Sequence, residues 1–326
     1  MRFLLRLFLV LCVLAIAGGT FLALDGHRRF TGPGPLADKL VLVVPKGAGL
    51  DAIARKLEAA GVVHDRYSFM IGTKLRKVVL KAGEYEFPPA ISGEEVMTMI
   101  GEGRTLKHRL TIAEGLTVKQ IIVEVEQADF LSGRVTKLPP EGWLLPETWV
   151  LSRDDDRGEL VARMEKSMRQ TLDELWAKRA ADLPLKSPEE ALILASVVER
   201  ETGIAAERPM VAGVFVNRLR LGMRLQSDPT VIYGLSEGLG VMDRPLTRAD
   251  LEKPHSWNTY VIDRLPKTPI ANPGRASLEA VLNPAKTDAL YFVADGSGGH
   301  RFAKSLDEHN ANVSNWRRVE KDRKGK

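Results

Sequence analysis

Residues 7–24, LFLVLCVLAIAGGTFLAL, carry no charged side chain. As a helix rising about 1.5 Å per residue this run spans roughly 27 Å, close to the hydrocarbon thickness of a bilayer, so it constrains the chain more than any other stretch. One membrane span is the direct reading. A cleaved secretory signal is the competing one, with AIA at residues 15–17 as its cleavage site, yet the apolar run continues past that site through Phe21 and Leu24. Arg2 and Arg6 precede the run and Arg28 and Arg29 follow it, so positive charge does not orient it. Either reading sends the rest of the chain to a membrane or beyond it.

The 326 residues suffice for two compact domains, and 44% hydrophobic with 27% charged residues is an ordinary folding composition. Lys and Arg exceed Asp and Glu by 47 to 42, a formal charge of +5 that is too weak and scattered to argue for nucleic acid. The one basic cluster, NWRRVEKDRKGK at residues 315–326, reads as a solvated, fraying terminus. The single cysteine, Cys12, lies inside the apolar run, which excludes an intrachain disulfide and a cysteine metal site. Leu11 stands before it where a lipid-attachment site would have a small residue. The six histidines include no i, i+4 pair, and the chain has neither GxSxG nor a glycine-rich phosphate loop after a strand. No metal or other cofactor is expected.

TGPGP, residues 31–35, reads as a linker. After it LVLVVPKGAGLDAIARKLEAAGVV suggests a strand, a turn and an amphipathic helix with Ile53, Leu57 and Ala60 on one face and Gly61 at its end. KAGEYEF suggests a strand, SGEEVMTMIGEG a helix with Ser92 and Glu95 as a capping box, and KHRLTI another strand. Residues 38–112 thus form a small α+β module. The larger mixed α+β part covers residues 113–320. In it LTVKQIIVEVEQ and residues 160–179 read as helices and EGWLLPETW as a loop. SPEEALILASVVERETG opens with Ser187 at the N-cap, Pro188 at the first helical position and Glu190 three after the cap, and Gly203 is its expected stop. MVAGVFVNRLRLGM is a second apolar helix, and ALYFVADGSGGHRFAKSLDEHNANV a hairpin followed by a helix.

Chemistry centres on LASVVERETG, where an apolar helix ends in two carboxylates, Glu199 and Glu201. Residues two apart on a helix point roughly 200° apart, so the two cannot both face one cleft, and a paired-carboxylate glycosidase site is excluded. One of them, partly desolvated, could still act alone as a proton donor. The plainer reading is a capping Glu or one paired with Arg200 or Arg218. The polar helix ends, residues 199–202 including Thr202, and Asn217 with Arg218, are candidates to meet in space. RLQSDPTVIYG offers Gln226, Ser227, Asp228, Thr230 and Tyr233 for hydrogen bonds to a sugar, or else a turn in which Asp228 caps a helix and Pro229 starts it. In SWNTYVIDRLPKTPIANPG, Trp257 and Tyr260 could stack on sugar faces while Asn258 bonds hydroxyl or acetamido groups, or the loop is simply packed. Trp143, Trp149, Glu141 and Glu147 in EGWLLPETW carry the same two readings.

LASVVERETG, RPMVAGVFVNRLRLGMRLQSDPTVIYGL, WNTYVIDRLPKTPIANPG and YFVADGSGGHRF resemble, in order and spacing, the motifs of the YceG-like family, the MltG-type endolytic murein transglycosylases. KAGEYEF and EGWLLPETW fit its pattern too, and the likeness runs from about residue 41 to 310, loosest in the N-terminal module. The resemblance implies an inner-membrane protein: residues 1–30 form a cytoplasmic tip and single-pass anchor, residues 38–112 a periplasmic LysM-like module, and residues 113–320 the catalytic domain. It implies lyase chemistry on peptidoglycan glycan strands, cleaving between N-acetylmuramic acid and N-acetylglucosamine without water to leave 1,6-anhydro ends. It carries the catalytic role to Glu201, and it implies cell-wall synthases as partners. Glu201-Thr202 also resembles the helix-ending Glu-Ser step of other lytic transglycosylases, whereas Arg200 follows Glu199, which is left to shape the site. Since the nucleophile is the C6 hydroxyl of the same sugar, one carboxyl group suffices. Two alternatives stand beside this: a peptidoglycan-binding scaffold without activity, and a muramidase using Asp228 or Glu199 to activate water.

Overall fold

The computed structural model describes residues 2–324; of the two termini read above, Met1 at the tip and Gly325 and Lys326 in the basic tail lie outside the described residues. The fold is mixed α+β, in two compact units: one runs to His108 and includes Val150–Asp154, and the other comprises Arg109–Trp149 and the chain from Asp155.

In the first unit, helix α1 (Arg2–Thr31) is long and apolar enough to cross a membrane, and it continues beyond the uncharged run. Its last turn buries Phe30, whose ring centroid lies 6.4 Å from that of Phe69. TGPGP is tied down rather than free: the Gly34 N–H donates to the Ala90 carbonyl at 3.1 Å, and His64 Nε2 lies 2.9 Å from the Pro33 carbonyl oxygen. The unit continues with β1 (Leu40–Val44), α2 (Leu50–Ala59), α3 (Arg66–Leu75), β2 (Gly83–Phe87) and α4 (Gly93–Glu102). β1 and β2 pair antiparallel, with Leu42 opposite Tyr85. Tyr85 and Phe87, two apart and so on one face of β2, stack at 6.2 Å over Ile53 and Leu57 of α2 and Val96 and Ile100 of α4 in one core. Burying a side chain of this size stabilises by about 1.5–3 kcal/mol. Gly61 closes α2 in the left-handed region (φ 69°), and Ser92 with Glu95 forms the expected capping box. Helix α3 has no counterpart in the sequence reading. It starts at Asp65, whose carboxylate accepts from the Ser68 N–H.

The second unit holds most of the helices. β3 (His108–Thr111) leads to α5 (Val118–Gln127), and β3 pairs with β4 (Thr148–Leu151), so the end of EGWLLPETW is strand where a loop was expected. α6 (Arg157–Ala177) and α7 (Pro188–Glu201) follow; a single 3₁₀ turn (Ala205–Glu207) then leads into α8 (Arg208–Arg220). α9 (Asp228–Leu235), α10 (Arg248–Glu252), α11 (Arg275–Leu282), the antiparallel hairpin β5 (Tyr291–Ala294) and β6 (His300–Ala303), and α12 (Leu306–Lys324) complete it. The basic tail is therefore helical as far as Lys324, not frayed from residue 315.

α7 is buried on every side through Ala191, Leu192, Leu194, Ala195, Val197 and Val198, as its uncharged sequence requires. It packs against α6, α8, α9 and α11. A buried helix needs a partner for every polar side chain: Ser196 donates to the Ile193 carbonyl and accepts the Ile270 N–H. On α8, glycine at 213 lets the segment that follows residue 282 pass close; a Cβ there would lie 2.7 Å from the Ala285 carbonyl oxygen. The stop of α7 differs from expectation. Thr202 takes an extended conformation (φ −135°, ψ 131°) and ends the helix one residue before Gly203, which has no positive φ. Glu201 is thus the last helical residue, with its side chain at the helix mouth.

Candidate active site

Glu199 and Glu201 leave α7 in different directions. The buried Glu199 carboxylate accepts from Arg208 Nη2 at 2.9 Å and from the Gly274 N–H at 2.9 Å, and Arg208 Nη2 also donates to Glu114 at 2.8 Å. Burial pushes the Glu199 carboxyl above its ordinary value, against these bonds and the Arg208 charge. Arg200 is spent on the carbonyls of Gly115 and Gly240. Thr202 Oγ1 donates to Glu207 and accepts the Ile204 N–H, which fixes the turn after the helix.

Glu201 is half-buried and faces a cleft of about 510 Å³. Arg218, Gln226, Asp228, Tyr260, Tyr291 and His300 are among the residues that line it. Ser227 Oγ donates to Glu201 Oε2 at 2.8 Å. With Oε2 accepting from Ser227, Oε1 is the carboxyl oxygen free of that bond. Burial pushes this carboxyl up to about 7. The Ser227 bond opposes the rise, the Asp228 charge adds to it, and the charges of His300 and Arg218 pull it back.

The other predicted residues divide in two. Gln226, Asp228, Tyr260 and Arg218 border the cleft. Asp228 does not cap α9: it is the helix's first residue, Ser227 is the N-cap position, and Asp228 Oδ1 accepts the Tyr260 hydroxyl at 2.6 Å. Burial pushes the Tyr260 hydroxyl up, and the Asp228 bond and charge push it further. Gln226 holds a left-handed backbone (φ 50°), its N–H bonded to the Thr259 carbonyl, and this turns the chain so that Ser227 reaches Glu201. Arg218 donates from Nε to the Leu290 carbonyl and from Nη1 to the Leu225 carbonyl, with its guanidinium 5.4 Å from the Tyr291 ring centroid.

The remaining ones hold the frame. Asn217 Nδ2 donates to the carbonyls of Thr287 and Ala289 and fixes the approach to β5. Asn258 is fully buried; its Nδ2 donates to Leu251 and Lys253 carbonyls, and its Oδ1 accepts the Tyr260 N–H. Its amide is engaged with backbone rather than directed at a sugar. Trp257 packs near edge-to-face with Tyr233 at 5.7 Å, and its Nε1 donates to Thr268 Oγ1. Tyr233 donates to Glu141 Oε2 at 3.2 Å. Glu141 also accepts from Val118 and Gly142 N–H groups and from Asn272, and burial pushes it up to about 7. Arg169 and Arg163 lie over the rings of Trp143 and Trp149, at 4.2 and 5.8 Å.

Sequence reasoning assigned no part in the site to His300 and Glu207. The Glu207 carboxylate accepts the His300 N–H at 2.8 Å and pairs with Nδ1 at 2.7 Å. Burial raises the Glu207 carboxyl, but the bonds and charge of His300 more than reverse this and hold it below the ordinary value. With Nδ1 so engaged, Nε2 is left for the cleft. The signal in the sequence was GSGGH: Gly299 leaves room for Glu207, since a Cβ there would lie 2.7 Å from Glu207 Oε1. Among the described residues no group of three or more His, Cys, Asp or Glu side chains could share a metal ion.

Residues 42–315 match the model of the YceG-like family. A Bacillus subtilis (strain 168) protein named endolytic murein transglycosylase is 29% identical over 299 residues, which covers 82% of this chain and 82% of that protein. A protein of the same name from Streptococcus pneumoniae serotype 2 (strain D39 / NCTC 7466) is 27% identical over 94% of this chain, which spans 64% of that longer relative. Among solved structures, a yceG-like protein from Listeria monocytogenes superposes with a TM-score of 0.50 at 30% identity, over 84% of this chain and 99% of that one.

Proposed function

This chain belongs to the YceG-like family, and from that membership and the geometry around Glu201 we propose that it is a membrane-anchored endolytic murein transglycosylase. The observation that carries the proposal is one half-buried carboxyl, raised to about 7, at the wall of a cleft that mixes polar and apolar side chains. Near neutral pH about half of such groups hold a proton to give.

Protonated Glu201 donates from Oε1 to the glycosidic oxygen as the bond from muramic C1 to that oxygen breaks, through an oxocarbenium-like state. The C6 hydroxyl of the same ring then forms the new bond to C1, and its proton returns to the Glu201 carboxylate. Atoms balance without water, and the acid is regenerated. Ser227 holds the carboxyl in place, and the charges of His300 and Arg218 favour the carboxylate that exists between the two proton transfers. Glu207 positions His300, while Gln226 and the Tyr260–Asp228 pair supply polar groups to the sugars. Asp228 Oδ1 accepts from the Tyr260 hydroxyl, which holds the two together at the cleft wall.

On this reading α1 is a single-pass anchor in the inner membrane, and the rest of the first unit and the second unit are periplasmic. The unit built on β1, α2, α3 and β2 has its own core, which supports the LysM-like reading. Cutting nascent strands endolytically would terminate their growth, with cell-wall synthases of the same membrane as partners.

The test is release of soluble glycan from nascent uncrosslinked strands by the full-length protein. Glu201→Gln is expected to lower the rate by about 100- to 10,000-fold, while Glu199→Gln, assayed at a temperature where it is folded, retains activity. Equal release by Glu201→Gln would remove the assignment. A wild type that binds strands but never cuts them would make the protein a scaffold.

A further inference from the structure

Helix α3 has two apolar faces, and only one of them is covered. Phe69 and Gly72 face the core. Tyr67, Ile71 and Leu75, spaced i, i+4, i+8, form a second stripe that is 61%, 59% and 76% exposed, and Val79 beyond the helix end is 80% exposed. Single apolar residues on a surface need no explanation, but a continuous stripe marks an interaction face.

Its position identifies what covers it. Ile71 and Leu75 share the walls of a groove of about 370 Å³ with Leu22, Ala23 and Gly26 of α1. α3 is held there closely: a Cβ on Gly72 would come within 2.6 Å of the Phe30 ring, and the Arg76 guanidinium sits 4.8 Å from that ring's centroid. The segment after α1 is also tied to the start of α3, where His64 Nε2 lies 2.9 Å from the Pro33 carbonyl oxygen. Leu22 and Ala23 belong to the uncharged run that ends at Leu24. At about 1.5 Å per residue, Leu22 lies roughly 3 Å inside the end of that run and Gly26 roughly 3 Å outside it. The stripe of α3 therefore stands level with the boundary between hydrocarbon and headgroups, the depth at which amphipathic interfacial helices bury their apolar faces. Charge agrees. Arg28, Lys74 and Lys77 are exposed and make no ion pair among the described residues, whereas Asp25 is paired with Arg29 and Glu94 with Arg76.

We infer that α3 is a membrane-interface helix: Tyr67, Ile71, Leu75 and Val79 lie in the headgroup layer of the bilayer that α1 spans, on an anionic phospholipid surface. The inference rests on reading α1 as a span. It makes the first unit a foot seated on the membrane instead of a domain on a free tether.

The test uses the full-length protein in vesicles containing anionic phospholipid. Cys12→Ser removes the native thiol, and single cysteines at Leu14, Ile71, Leu75 or Asp51 carry a fluorescent probe. Lipids brominated near the glycerol are expected to quench the probes at 71 and 75 about twofold or more over the one at 51, and lipids brominated deep in the chain to quench the probe at 14. Deep quenching at 14 with no excess at 71 and 75 over 51 would overturn the inference and leave the span standing. Absence of quenching at 14 would remove the span, and the inference with it. Shielding of 71 and 75 from water without quenching by lipid would give the face to a protein and also overturn it.

Discussion

At the scale of single residues, the account turns on how Glu201 holds its proton. Burial raises it to about 7, so the proton-donating form is lost as pH rises through that value, and kcat/KM is expected to fall about tenfold per pH unit above it. Two neighbours move this limb in opposite directions. The Asp228 charge raises the carboxyl, so Asp228→Asn shifts the limb to lower pH while catalysis persists; the Ser227 bond lowers it, so Ser227→Ala shifts the limb to higher pH. Rate profiles of the two variants check this, and loss of all activity in Asp228→Asn would favour the hydrolytic reading. In the sequence, an apolar helix segment ending in two acids marked the place, because an acid among apolar neighbours is costly, but the choice of Glu201 over Glu199 came from the family resemblance. His300 was not marked, since its role depends on Glu207, which is 93 positions away and meets it only through the β5–β6 hairpin.

At the scale of elements, helix starts were easier to read than helix ends. Ser187, Pro188 and Glu190 mark the start of α7 because caps are local hydrogen bonds between near neighbours. The end of α7 is set instead by Thr202, whose hydroxyl finds Glu207 in the folded chain, and a glycine stop at 203 was the wrong inference. α3 was missed because its apolar residues fall on two faces, which blurs a single stripe; the second face makes sense only beside α1. Glu199 shows what a motif acid does when it is structural: it ties α7 to Arg208 at the start of α8 and to Gly274, the N-cap of α11. Glu199→Gln leaves the buried Arg208 charge with Glu114 alone. Removing one partner of a buried pair costs about 3–5 kcal/mol, an upper bound here because Arg208 keeps Glu114 and burial already disfavours the Glu199 charge. Urea unfolding of the variant measures it, and an unchanged midpoint would contradict the role.

At the scale of the whole molecule, two carboxyls raised to about 7, Glu201 and Glu141, link stability to pH. Each is protonated more readily folded than unfolded, so each contributes stability that is complete below about 4.5, the ordinary value, and lost as pH rises through about 7. Resistance to urea is therefore expected to decline between about pH 5 and pH 8, and the decline to flatten in the Glu141→Gln, Glu201→Gln double variant. Site and stability thus share one cause, burial of acids that cannot be paired away. The measurement that tests the proposed reaction most directly is mass spectrometry of the glycan ends made by the full-length wild type in heavy-oxygen water. The account predicts anhydro ends, one water lighter than hydrolysis products and free of heavy oxygen, that vanish with Glu201→Gln. Reducing ends carrying the heavy oxygen would contradict it.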